Sequence, residues 1–265
     1  MISPMRKSGV AVVCLGACAG LCAGRAVLSQ AKPAAIPIAK AAVTVPFVGC
    51  ASDGQAGPQA APTGQPQPVA LAAAVAKRLA YYKAEYSAAV LAPRGWHCFS
   101  TYGSDGSNLF VSPDPIDTKN IFSSDWKGIT GDGIQISYSS GGTSGRFEVA
   151  KVIARVFPAY KQFAQNVIAE GLVPVSEFPF GPYPKDKLTY RSKSVVEYET
   201  PANTQGLGTD SRLQPNASPI EGLAIISGVD TDLILLAARV AEADRDLIPA
   251  IVSQVESDVK ASAVQ

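Results

Sequence analysis

The stretch that most constrains this chain is Leu233-Ile234-Leu235-Leu236, four large apolar residues in a row. A second apolar run, Leu223 to Ile226, precedes it across Gly228-Val229-Asp230. Strict alternation would mark a strand with one wet face, whereas a continuous run marks a strand covered on both faces. The glycine-bearing turn makes the two runs a hairpin, Leu223 to Ile226 with Leu233 to Val240. These residues predict the centre of a sheet with something packed on each side, and the rest of the chain has to supply both covers.

Three segments have helical periodicity. Leu71, Val75, Leu79, Tyr82 and Tyr86 recur at steps of four, four, three and four, which predicts an amphipathic helix with a tyrosine-bearing core face. Ser144 to Glu170 carries the stripe Val149, Val152, Ile153, Val156, Tyr160, Phe163 and Val167 and stops at Gly171; Pro158 inside it predicts a kink or two abutting helices. The last helix is expected to be capped by Asp246, with Leu247, Ile248, Ile251, Val255 and Val259 inward and Pro249 tolerated in the first turn. Further strands are expected at Gly95 to Thr101, Asn108 to Ser112 and Ile134 to Tyr138, and in a hairpin of Leu188 to Tyr190 with Val195 to Tyr198. The order predicts an α+β fold: a largely antiparallel sheet with about three helices packed on it, in a single domain over residues 69–265.

The N-terminus predicts export. Arg6 and Lys7 precede an uncharged run from Gly9 to Gly24, the n-region and h-region of a signal peptide over residues 1–31. That run falls short of the about 20 apolar residues that span a bilayer. Two processing routes compete here, with an uncleaved membrane anchor as the weaker alternative to both. Ser29-Gln30-Ala31 offers a signal-peptidase site before Lys32, giving a soluble product, while Leu15-Gly16-Ala17-Cys18 has the form of a lipobox that would lipidate Cys18 and tether the chain to a membrane. Residues 32–68, with Pro58, Pro62, Pro66 and Pro68, read as an extended Pro/Ala/Gly-rich linker. Cleavage would remove Cys14, Cys18 and Cys22 and leave Cys50 and Cys98, an even pair that predicts a disulfide in an exported chain.

Charge excludes one class of partner. The whole chain carries 23 Lys and Arg against 22 Asp and Glu, and loss of Arg6, Lys7 and Arg25 takes no acid with it, so nucleic acid has no electrostatic attraction to this protein. The membrane enters the expectation only through the N-terminus, and an envelope protein is the partner expected otherwise.

Few residues point to chemistry. His97, between Trp96 and Cys98, is the single histidine and the first place to seek a general base, although strand alternation makes it an ordinary residue on the face opposite Cys98. A lone histidine without acids at ligand spacing supplies no metal site. Gly-x-Ser-x-Gly is absent, and Gly128-Ile129-Thr130-Gly131-Asp132-Gly133 lacks the Lys-Ser/Thr of a phosphate loop, so no cofactor is expected. Gly141-Gly142-Thr143-Ser144-Gly145-Arg146 opens onto the long helix. There Ser144, Gly145 and Arg146 could hold an anion, while Thr143 or Ser144 as a plain cap explains the same residues. The long polar loop Thr200 to Arg212 is a second candidate by its length.

Val45-Pro46-Phe47-Val48-Gly49-Cys50, Leu91-Ala92-Pro93-Arg94-Gly95-Trp96, Phe110-Val111-Ser112-Pro113 and Gly206-Leu207-Gly208-Thr209 resemble a group of exported bacterial proteins of unknown function. Pro93-Arg94-Gly95-Trp96 entering a strand, with a final hairpin and helix, is also similar to a PsbP-like domain at the level of fold, a likeness that implies no site residue. The sequence thus predicts an exported, non-catalytic binding or assembly module. Its alternative is a periplasmic hydrolase with a site near His97, oriented by an acid such as Asp105.

Overall fold

The computed structural model describes residues 43–262. The expected signal peptide, its cleavage point and the Cys18 lipidation site lie outside the described residues. The apolar hairpin sits where its composition requires. Strands β12 (Ile220–Ser227) and β13 (Asp232–Arg239) pair antiparallel, Leu223 opposite Leu236 and Ile225 opposite Ile234, and are internal strands of an eight-stranded sheet. Outward from β12 lie β11 (Val195–Thr200) and the edge strand β10 (Lys187–Ser192). Outward from β13 lie β9 (Gly133–Ser139), β8 (Gly106–Ser112), β7 (His97–Gly103) and the short β3 (Ser52–Gly54). Every pairing in this sheet is antiparallel except β3 with β7. The fold is α+β, as expected from the order of the elements.

Both covers of the central hairpin are present. On one face, Leu109, Val111, Ile134, Ile136, Leu223, Ile225 and Leu236 pack with the C-terminal helix α4 (Ile248–Ser262) and a three-stranded sheet, β2 (Phe47–Gly49), β5 (Leu79–Lys83) and β6 (Val90–Pro93). On the other, Ala224, Ile226, Leu233 and Leu235 pack under α2 (Arg146–Val156) and α3 (Lys161–Ala169). Pro158 separates these two helices through a 3-10 turn, Pro158–Tyr160, because its ring forbids the backbone bond that would continue α2.

Three expectations change. The stripe from Leu71 to Tyr86 forms no long helix. Only α1 (Ala73–Ala76) is helical, and Leu79 onward is β5, the middle strand of the smaller sheet, between β2 and β6. Tyr82 is fully buried, donating from its hydroxyl to the Pro93 carbonyl at 2.8 Å and accepting from the Trp96 amide at 3.1 Å, whereas Tyr86 is 54% exposed. Arg94 ties the crossover by donating to the carbonyls of Leu79 and Ala76 at 2.9 and 3.0 Å. Tyrosines that suit a strand as well as a helix took the partners the tertiary fold offered. Asp246 does not cap α4 either. It lies in the 3-10 turn Glu242–Leu247, and its carboxylate pairs with Arg78 at 2.7 Å.

The third change concerns the segment expected to be a linker. Of that stretch, residues 43–68 are woven into the folded unit, where β1 (Val43–Val45) pairs antiparallel with β4 (Gln67–Val69) and Val45 and Cys50 are buried. The Cys50–Cys98 disulfide, with Cα atoms 5.4 Å apart, fastens this segment to β7.

Candidate functional site

The sheet face under α2 and α3 is not covered along its whole width. Beside the α2 contact, β8 and β9 turn polar side chains to the same face that buries Leu233 and Leu235 on β13. Asn108 and Ser137 stand opposite one another, and Gln135 lies two residues from Ser137. The Ser137 hydroxyl donates to Asn108 Oδ1 at 2.7 Å, and the Gln135 amide donates to Asn108 Oδ1 at 3.0 Å and to Ser137 Oγ at 2.8 Å. The remaining Gln135 oxygen accepts the Arg212 backbone amide at 2.7 Å, which ties this polar floor to the loop above it. Each amide and hydroxyl is held by its neighbours, so the strip presents fixed groups.

This strip floors a cleft of about 890 Å³. One wall is α2, whose Glu148, Lys151 and Arg155 fall at steps of three and four and form a polar edge beside the buried stripe. A second is the segment after α3, through Val173, Glu177 and Tyr183. Asp210, Ser211 and Arg212 form the third, and Asp105, Ser144 and Gly145 stand at the rim. The two loops singled out in the sequence thus open onto one cleft from opposite sides.

Within it, the Tyr183 hydroxyl donates to Asp210 Oδ1 at 2.6 Å, and the Arg155 guanidinium stacks 4.0 Å over the Tyr183 ring while donating to the Gly181 carbonyl at 3.3 Å. Most of Arg155's five donors remain uncommitted among the described residues. Asp210 is open to the cleft yet has protein on several sides. Desolvation raises its carboxyl above the usual range, against the hydrogen bond from Tyr183 and the charge of Arg155, which lower it. Desolvation and the Asp210 partner push the Tyr183 phenol up to about 12. Lys151 pairs with Glu148 at 3.0 Å and with Glu177 at 3.7 Å, linking α2 to the second wall.

The loop that carries Asp210 is built rather than slack. Asp186 accepts from Thr200 Oγ1 and from the Leu207 amide, both at 2.8 Å, and Ser211 Oγ donates to the Gly208 carbonyl at 2.6 Å. Arg239, 1% exposed, secures the far end. Its guanidinium donates to the carbonyls of Ile129, Gly131 and Gln214, holding two loops together beside the backbone bridge of Ile129 with Leu213. Burial lowers the Arg239 pKa, but guanidinium starts so high that it stays charged.

The sequence candidates divide. Ser144 and Gly145 reach the rim, but Arg146 is occupied, gripping Glu170 with Nε and Nη2 at 2.7 to 3.0 Å and the Thr143 carbonyl with Nη1 at 2.8 Å. It is a clip between the ends of α2 and α3. His97 is exposed at the first position of β7, opposite Ser112. Asp105 lies beyond the far end of the same strand, so at about 3.3 Å per residue roughly 20 Å separates them, and Asp105 cannot orient that imidazole. Among the described residues no group of His, Cys, Asp or Glu is arranged to hold a metal ion.

Arg155, Tyr183, Asn108 and Gln135 were not found from sequence. The only signal was the polar edge of α2, since a tyrosine in a Pro-rich loop and a Gln within a strand look like any others. No protein-family model, no curated protein and no solved structure matches this chain.

Proposed function

We propose that this protein is an exported, non-catalytic binding module whose ligand occupies the cleft between α2 and the polar face of β8 and β9. The observation that carries the reading is the hydrogen-bonded strip of Asn108, Gln135 and Ser137, which lines the same cleft as Arg155 and Asp210. A concave site with a few converging, prepositioned polar groups is the usual form of a small-molecule site, and the cleft's volume lies in the usual range for one. Export rests on the basic and apolar N-terminus, with the Cys50–Cys98 bridge as support, since disulfides persist in oxidising compartments.

The test is thermal unfolding of the disulfide-closed protein against a defined set of amino acids, dicarboxylates and sugars, followed by analysis of each hit for turnover. A ligand that raises the midpoint, is recovered unchanged, and loses its effect in Gln135→Ala supports the reading. Chemical conversion of the ligand would overturn the non-catalytic part. The intact mass of protein recovered from its own cells tests export: a chain starting at Lys32 or at an acylated Cys18 supports it, and a retained Met1 sinks both routes.

A further inference from the structure

We infer that the ligand is an uncharged, hydroxyl-rich chain, an oligosaccharide several units long, lying across the sheet face from α2 to Trp126. The inference rests on the cleft being a binding site. It is carried by a second hollow of about 350 Å³, lined by Thr101, Phe110, Phe122 and Trp126, which shares Asn108 and Arg212 with the cleft. The two adjoin at these residues as neighbouring stretches of one trough-like surface, so a ligand longer than a single compact small molecule can reach both.

The two stretches of the trough differ in kind. In the larger, the carboxylates of Asp105, Glu148, Glu177 and Asp210 face the cations Lys151, Arg155 and Arg212, so neither an anion nor a cation meets a field of one sign. On the floor, where the other protons of Asn108, Gln135 and Ser137 are spent within the strip, the Asn108 amide nitrogen is left as a donor, and Ser137 Oγ and Gln135 Oε1 each keep a lone pair to accept. A hydroxyl both donates and accepts, so a polyol can satisfy such a lining; an apolar ligand would strip it of water without replacement. In the smaller stretch Trp126 stands edge-on to Phe110 at 5.3 Å, Arg212 sits 5.7 Å over the Trp126 ring, and Phe122 is 61% exposed. Aromatic surface with a polar rim suits the C–H faces of a sugar ring, whose hydroxyls radiate outward. An extended peptide would seek an open strand edge, and this trough lies over β8 and β9, whose backbones are paired on both sides.

The experiment is calorimetric titration of the disulfide-closed protein with maltotetraose, cellotetraose and tetra-N-acetylchitotetraose, each beside its own monosaccharide, and with trialanine and citrate. One tetrasaccharide should bind at least tenfold more tightly than its monosaccharide. Phe122→Ala, at an exposed position that does not threaten folding, should weaken it about tenfold, and Asp210→Asn should weaken it further. If trialanine or citrate binds more tightly than every glycan, the sugar class is overturned and the binding cleft stands. If a tetrasaccharide is bound and cleaved, the sugar class stands and the non-catalytic reading fails. No glycan binding at millimolar concentration, or binding indifferent to both variants, overturns the inference.

Discussion

The two faces of β8 and β9 are built from alternating residues of the same strands, yet they have opposite lives. Leu109, Val111, Ile134 and Ile136 enter a dry core closed by α4 and the three-stranded sheet. Their neighbours Asn108, Gln135 and Ser137, one residue away along the chain, meet a cleft. Alternation fixes only that the faces differ. What makes one polar face a site rather than plain surface is that α2, the loop of Asp210 and the arm of Trp126 stop short of it on three sides.

The largest effects are expected on the dry face. Replacing both cysteines, Cys50→Ala with Cys98→Ala, opens a loop with a sequence separation of 48 and should cost about 4 kcal/mol on the chain-entropy account. Urea unfolding checks this, and an unchanged midpoint would show that the N-terminal strands hold without the bridge. Leu236→Ala, at a fully buried position, should cost about 3 kcal/mol through lost burial and the cavity left behind.

The wet face should respond less in stability and more in binding. Gln135→Leu removes the acceptor of the Arg212 amide and the donor to Asn108, for an expected loss of about 2 kcal/mol. If urea unfolding found the variant as stable as the parent, the Gln135 bonds would not be what holds the Arg212 loop to the strip. A smaller effect is expected from pH. Because desolvation raises Asp210, the folded chain keeps this proton to higher pH than the unfolded chain. Between the two pKa values the folded state binds more protons, so this group's contribution to stability falls as pH rises. Asp210→Asn should therefore gain on the parent more at pH 7 than at pH 3 in paired urea titrations. Tyr183→Phe removes a bond that holds the Asp210 pKa down, so a carbon-detected titration of that carboxyl should move further upward.

Smallest of all is Arg146→Ala. The arginine is held by Glu170 outside the cleft lining, so the change should leave ligand affinity untouched. A loss of affinity there would restore the anion site expected from the sequence and redraw the boundary between clip and site.

How much was legible depends on whether a residue's duty is local. The break at Pro158 and the apolar hairpin were readable because a missing amide and a continuous apolar run act on their own segments. The Cys50 to Cys98 pairing was readable because, once export is expected, two cysteines leave one intramolecular partner each. Leu71 to Tyr86 misled because its spacing fits a helix stripe, and the competing signal, partners in β2 and β6, lies elsewhere in the chain. Among the site residues, the two loops were visible by length and glycine content, but not that they face each other. Arg146 looked free because Glu170 is 24 residues away.

By itself, then, the sequence determined the fold class, the covered centre of the sheet, the broken helix pair and the disulfide, since hydrophobic period, proline geometry and cysteine count are properties of short stretches. Only the tertiary structure decided that Asn108, Gln135, Arg155, Tyr183 and Asp210 share one cleft and that His97 stands apart from Asp105. The reason is physical: a site is made of distances between segments, and those are set by which faces must be buried together, not by any residue's own preference.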